Sequence, residues 1–232
     1  MIRIPAISFQ NVIVSQLHDS PLPPVDKEMI HDIVSNAPAG ELSATDSLRL
    51  MEAIGIGGDR EIVASTIMQA KMAAIEIGYP VNIQSICEDG TGECIEDITD
   101  ENTMRLEYKR LMLSSACKGV RVSPSMGSSF IYFGIRQRPM LGHILLCGIY
   151  SPSQRHPDTF VALTAPVDRE TAADAVKQFS GESPVQMFMI ADTLRRLGAL
   201  CEEAPRISSA DIMPTVTGTR SIVATGASFI LK

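Results

Sequence analysis

The residues best equipped for chemistry lie between positions 136 and 158. Read as a strand, the segment starting at His143 puts His143, Leu145 and Cys147 on one face. The loop that follows adds Ser151, Ser153, Arg155 and His156. A thiol or hydroxyl beside an imidazole is the arrangement of nucleophilic catalysis, in which the ring takes the proton and sulfur or oxygen attacks. Arg136 or Arg155 would hold an anionic substrate through paired N–H donors. The candidate catalytic set is therefore His143, Cys147, Ser151, Ser153 and His156. Two features weigh against it. Cys147 sits among aliphatic residues, where burial raises a thiol pKa, and no G-x-S-x-G elbow accompanies the serines.

A second concentration of chemistry spans residues 87–101 (CEDGTGECIEDITDE), with two cysteines, seven carboxylates and no basic residue. Residues 81–88 and 93–99 can pair around a turn at 89–92. That register puts Cys87 opposite Cys94, within reach of a disulfide. The readings are a solvated acidic hairpin, a redox-responsive pair, or a docking surface for a cation or protein partner. C-x6-C lacks the second ligand pair of a zinc site, and the acids miss the positions of a calcium loop. No metal ligand set is assigned.

A third candidate is the glycine run 55–58. Glycines ahead of a helix expose backbone N–H groups to an anion, which makes Gly57 and Gly58 candidate ligand-binding residues. The run follows a helix instead of a strand, so it matches neither a P-loop nor a dinucleotide fingerprint. No motif names a cofactor.

The elements that must position these residues come in blocks. Residues 2–15 read as a strand, and Asp26 and Ser43 as caps of two short helices. A buried helix is expected over 60–77 with Asp59 as its cap, another over 103–117, and two more over 169–179 and 185–203. Between them, 120–123, 130–135, 143–150 and 159–165 read as strands joined by connections too short for parallel crossovers. A long terminal strand is expected over 219–231. The fold class is α+β, a mostly antiparallel sheet (central meander about 120–165) with helices layered against it. Residues 1–232 read as a single domain, with 1–57 as a candidate N-terminal subdomain.

Composition bounds the function. A net charge of -7 and a pI near 5.1 argue against nucleic acid as the main partner. The longest apolar run, near 144–150, is far short of the roughly 20 residues that cross a bilayer. The N-terminus does not read as a signal peptide, and five cysteines suit a reducing cytoplasm. The expectation is a cytoplasmic, self-associating domain that binds a small ligand or protein partner without catalysis, with the acidic stretch 87–101 as the partner surface. The alternative is an enzyme acting on a small anionic substrate through the Cys/Ser–His set.

Overall fold

The computed structural model describes residues 12–13, 21–57, 61–87, 92–113, 117–125, 130–150, 159–179, 184–217, 222–224 and 226–232. In chain order its elements are β1 (Val12–Ile13), α1 (Lys27–Asn36), β2 (Gly40–Glu41), α2 (Ala44–Ala53), β3 (Ile62–Ala64) and α3 (Ile67–Ile77). Then come β4 (Val81–Cys87), β5 (Cys94–Ile98), α4 (Glu101–Leu111), β6 (Cys117–Pro124), β7 (Phe130–Arg138) and β8 (Gly142–Tyr150). The chain continues through β9 (Thr159–Thr164), α5 (Arg169–Val176), α6 (Pro184–Glu203), β10 (Ile207–Thr217), β11 (Ile222–Ala224) and β12 (Ala227–Leu231).

These elements build two sheets, antiparallel apart from the β1–β9 pair. The larger runs β1-β9-β8-β7-β10-β12-β2, with β11 beside β10, and the smaller runs β3-β6-β4-β5. The α+β class expected from the sequence therefore holds. The meander is β7-β8-β9; its expected first strand, 120–123, instead joins the smaller sheet as part of β6.

Each sheet has its own hydrophobic core. In the larger, Phe133, Ile135, Leu145, Cys147 and Phe229 meet apolar residues of α1, α2, α5 and α6. In the smaller, Val81, Ile83, Val120 and Val122 meet Ala70, Ala74, Met104 and Tyr108 of α3 and α4. Residues of the candidate subdomain 1–57, among them Ile30, Leu50 and Ile54, belong to the larger core. Alternation along each strand explains the arrangement: one face meets helices and the other does not.

Caps fix the helix starts. Asp26 Oδ1 accepts the Met29 N–H at 2.9 Å, and Ser43 Oγ accepts the Asp46 N–H at 3.0 Å. The helix expected over 60–77 begins only at Ile67. Thr66 and Gln69 form a reciprocal capping box there, while the β-branched pair Ile62 and Val63 joins β6 as a strand. The helix expected over 103–117 ends at Leu111, because Cys117 onward is recruited to β4.

The acidic hairpin forms in a different register from the one expected. Cys94 lies opposite Gln84, and Ile95 opposite Ile83, so Cys87 falls opposite Cys117 of β6. Cys87 is thus three residues beyond the partner of Cys94, about 10 Å along the strand and outside disulfide range. Ser85 holds this register: its N–H donates to the Glu93 carbonyl at 2.9 Å, and its Oγ accepts the Glu93 N–H at 2.9 Å. A side chain at Gly92 would overlap the Ser85 carbonyl, which makes glycine necessary at that approach.

Candidate functional site on the open sheet faces

The faces turned away from the helices carry the polar residues. On the larger sheet, register aligns Ser228, Asp211, Gly134, Leu146 and Ala162 in one row across β12, β10, β7, β8 and β9. Asp211, directly opposite Gly134, is the centre of a closed network. Tyr132 donates its hydroxyl to Asp211 Oδ1 at 2.7 Å, and Arg136 Nη2 donates to the same oxygen at 2.6 Å. Arg136 Nη1 also donates to the Ala210 carbonyl at 2.7 Å and the Ile135 carbonyl at 2.8 Å. A Cβ at position 134 would collide with the Tyr132 hydroxyl, so glycine lets the phenol lie across β7. Beside the network, Ile144, Leu146 and Ala162 make an apolar half of the same face.

On the smaller sheet, Val63, Arg121, Gln84 and Cys94 stand opposite one another across all four strands. Asn82 and Ser123 form the next pair. Arg121 Nε lies 3.0 Å from Glu61 Oε2, so this cation too has a partner. Cys94 is exposed; burial, then Glu96, pushes its thiol above the usual range.

The proposed nucleophilic set is not assembled from the described residues. Cys147 is sealed in the larger core, and burial holds its thiol well above its ordinary pKa. It has neither access to substrate nor a thiolate to attack with. His143 is buried with Nε2 2.7 Å from the Ile207 carbonyl, a hydrogen bond that requires the ring to donate from that nitrogen. The two lie on one face but four residues apart, about 13 Å along the strand. Ser151, Ser153, Arg155 and His156 lie outside the described residues, as does Gly58. Gly57 is described, and among the described residues the next element after it is strand β3 and not a helix. Arg136 lies on the open face and is engaged by Asp211.

Asp211 and Tyr132 were not singled out from the sequence. The alternation from Ile207 to Ile212 was available, but Pro214 argues against a central strand. The structure accommodates it at a register shift between Ile212 and Thr215. One further concavity, of about 420 Å³, lies between α5 and α6. Val176, Met187, Phe188 and Ala191 line it, with Arg169 and Lys177 also contributing.

Comparison with known proteins gives this geometry its context. Residues 33–231 match the family described as ATP-grasp domain. Acetate–CoA ligase (ADP-forming) II of Archaeoglobus fulgidus is 22% identical over 200 residues, covering 80% of this chain but 30% of that protein. The ligase I of the same organism is also 22% identical, with 31% of its length covered. The chain therefore spans about a third of these two relatives. The beta subunit of acetate–CoA ligase (ADP-forming) I from Pyrococcus furiosus is 25% identical, with 84% of this chain and 93% of the subunit covered. The fold resembles that of the dinucleotide forming acetyl-coenzyme A synthetase 1 of Ca. Korarchaeum cryptofilum, solved with coenzyme A and Ca-AMPCP. The TM-score is 0.51 at 18% identity, over 89% of this chain and 100% of that one. These findings overturn the expectation of a binding domain without catalysis. The chain belongs to the ATP-grasp domain family.

Proposed function

We propose that the chain is the nucleotide-handling part of an ATP-dependent ligase that joins a small carboxylate to coenzyme A with ADP as product, acting with a second polypeptide. Coverage carries this reading. The chain covers 93% of the beta subunit of one such ligase, a protein that is itself named as a subunit, and this supports the expectation of a partner polypeptide. The alternative drawn from the sequence, an enzyme acting on a small anion, agrees with this class. Its Cys147–His143 centre does not.

The open faces are the natural place for the nucleotide, because the opposite faces are filled by helices. Gln84 and Asn82 carry amide donors and acceptors there, and on the larger sheet the Asp211 side chain, 49% exposed, stands beside the buried residues Ile144, Leu146 and Ala162. Phosphoryl transfer asks a protein mainly for positioning and electrostatic stabilisation, so rigid sheet faces suit the task better than loops. A cytoplasmic setting and association with a second copy, both expected from the sequence, remain part of this proposal.

Nucleotide phosphates usually enter with a divalent cation bound through carboxylates. Among the described residues, no group of three His, Cys, Asp or Glu side chains is placed to hold one. Asp211 already accepts two hydrogen bonds, one of them from a guanidinium. Both bonds fall on Oδ1 and the Asp211 side chain is 49% exposed, so this carboxylate would be available to a cation carried by the phosphates, and no step is derived through one. Isothermal titration with ATP and with ADP tests the proposal. Saturable binding of both is expected, and absence of binding for either nucleotide would reject it.

A further inference from the structure

We propose that the outward faces of α3 and α4 form a docking surface for an acidic amphipathic helix of a partner polypeptide. The inference rests on the reading above only in taking that partner to be the second polypeptide of the ligase. It begins with α3, which is apolar at every position except Gln69, Lys71 and Glu76. A helix apolar on every side is normally buried on every side. This one is not. Ala70, Ala73, Ala74 and Ile77 enter the smaller core, while Met68, Met72 and Ile75 are 62%, 59% and 45% exposed. At about 100° per residue, these three fall within about 30° of the direction opposite the core. Their spacing, i, i+4, i+7, is the one by which a helix grips a partner helix.

Helix α4 extends the same surface. Met104, Tyr108 and Leu111 enter the core, and Leu106, 66% exposed, lies on the opposite side of the helix. Glu101 pairs with Lys71 of α3, so the row 101, 105, 109 runs along the flank of α4 nearest α3. That row sets Arg105 and Lys109, both exposed, beside the apolar stripe. Among the described residues neither has a carboxylate within ion-pair distance, because Glu101 is taken by Lys71 and Glu107 by Arg110. Glu76 lies on the far flank of α3. The local charge is therefore positive in a chain of net charge -7. An apolar stripe edged by two cations is complementary to a helix with an apolar face and acidic flanks. Methionine suits the task, since its unbranched side chain adapts to what packs on it. An anionic bilayer would meet the same stripe, but the net negative charge of the chain opposes that approach. Both helices cover the buried face of the smaller sheet, so docking leaves the open face free for nucleotide.

The probe is a fluorescein-labelled synthetic helix of about 18 residues, with a leucine stripe flanked by glutamates. It is titrated against the full chain by fluorescence anisotropy, beside a control peptide with lysine at every glutamate position. The acidic peptide is expected to bind saturably and at least about tenfold tighter than the control. Met68→Ser with Met72→Ser should weaken it about tenfold, and Arg105→Glu with Lys109→Glu should reverse the preference between peptides. Circular dichroism checks that both variants fold. Equal binding of the two peptides, no binding of the acidic one, or binding unchanged in both variants overturns the inference. So does binding to phosphatidylserine vesicles that R105E/K109E abolishes, which assigns the face to a membrane. A dimer in sedimentation velocity that M68S/M72S dissociates assigns it to a second copy, with the same consequence. ATP titration of the native chain separates the two proposals: its failure rejects the nucleotide reading, whereas failure of the peptide series rejects only this surface.

Discussion

The two sheets share a plan but use their open faces differently. Both bury one face under helices. On the larger sheet the open face joins a closed polar network to an apolar half, with Tyr132 and Leu146 almost fully buried. On the smaller sheet the corresponding row is Val63, Arg121, Gln84 and Cys94, in which Val63 is 61% exposed and Cys94 is also exposed. The larger face is therefore set by internal partners and the smaller by what solvent or ligand brings to it. A rigid, prearranged face beside an accessible one suits capture of a ligand, since ordering costs fall on one side only.

The largest break in this comparison comes from the buried side of β7. Phe133→Ala should cost about 3–5 kcal/mol through lost apolar contact and cavity formation, read by urea denaturation. One residue on, at the open face, Gly134→Ala should cost about 1–3 kcal/mol, because the added methyl forces the Tyr132 hydroxyl off Asp211. A matching change on the smaller sheet, Ser85→Ala, removes the bond that holds the Glu93 N–H and should cost about 1 kcal/mol.

Thiol chemistry sharpens the comparison without changing stability much. Under native conditions Cys94 should react first with an aromatic disulfide reagent. Cys147 and Cys201 should react only after unfolding, since burial seals both and holds their thiols protonated. Mild oxidation should link Cys87 to Cys117, its neighbour across β4 and β6, and not to Cys94. Peptide mapping that finds Cys87 joined to Cys94 would contradict the register described.

Much of the fold was legible because local signals agreed with it. Asp26 and Ser43 stand where caps were expected, and short connections specified antiparallel neighbours. The errors came where tertiary pairing decided. A start at Asp59 looked sound locally, yet pairing of Ile62 and Val63 with β6 and the Thr66–Gln69 box moved the helix start to Ile67. The acidic hairpin was placed correctly but slipped by three residues, because Ser85 and the third strand, β6, set the register. The site was much less legible. A cysteine and a histidine on one strand suggested catalysis, but same-face alternation points inward as readily as outward. The network that does form joins β7 to β10 across 75 residues, and no spacing rule reports such a pairing.

The central claim, that the open faces of the two sheets receive an adenine nucleotide, is tested most directly by hydrogen–deuterium exchange with and without ATP. The account predicts slowed exchange in peptides covering β4, β6, β7 and β10, with α5 and α6 unchanged. Protection confined to the α5–α6 cleft, with the sheet strands unaltered, would contradict it.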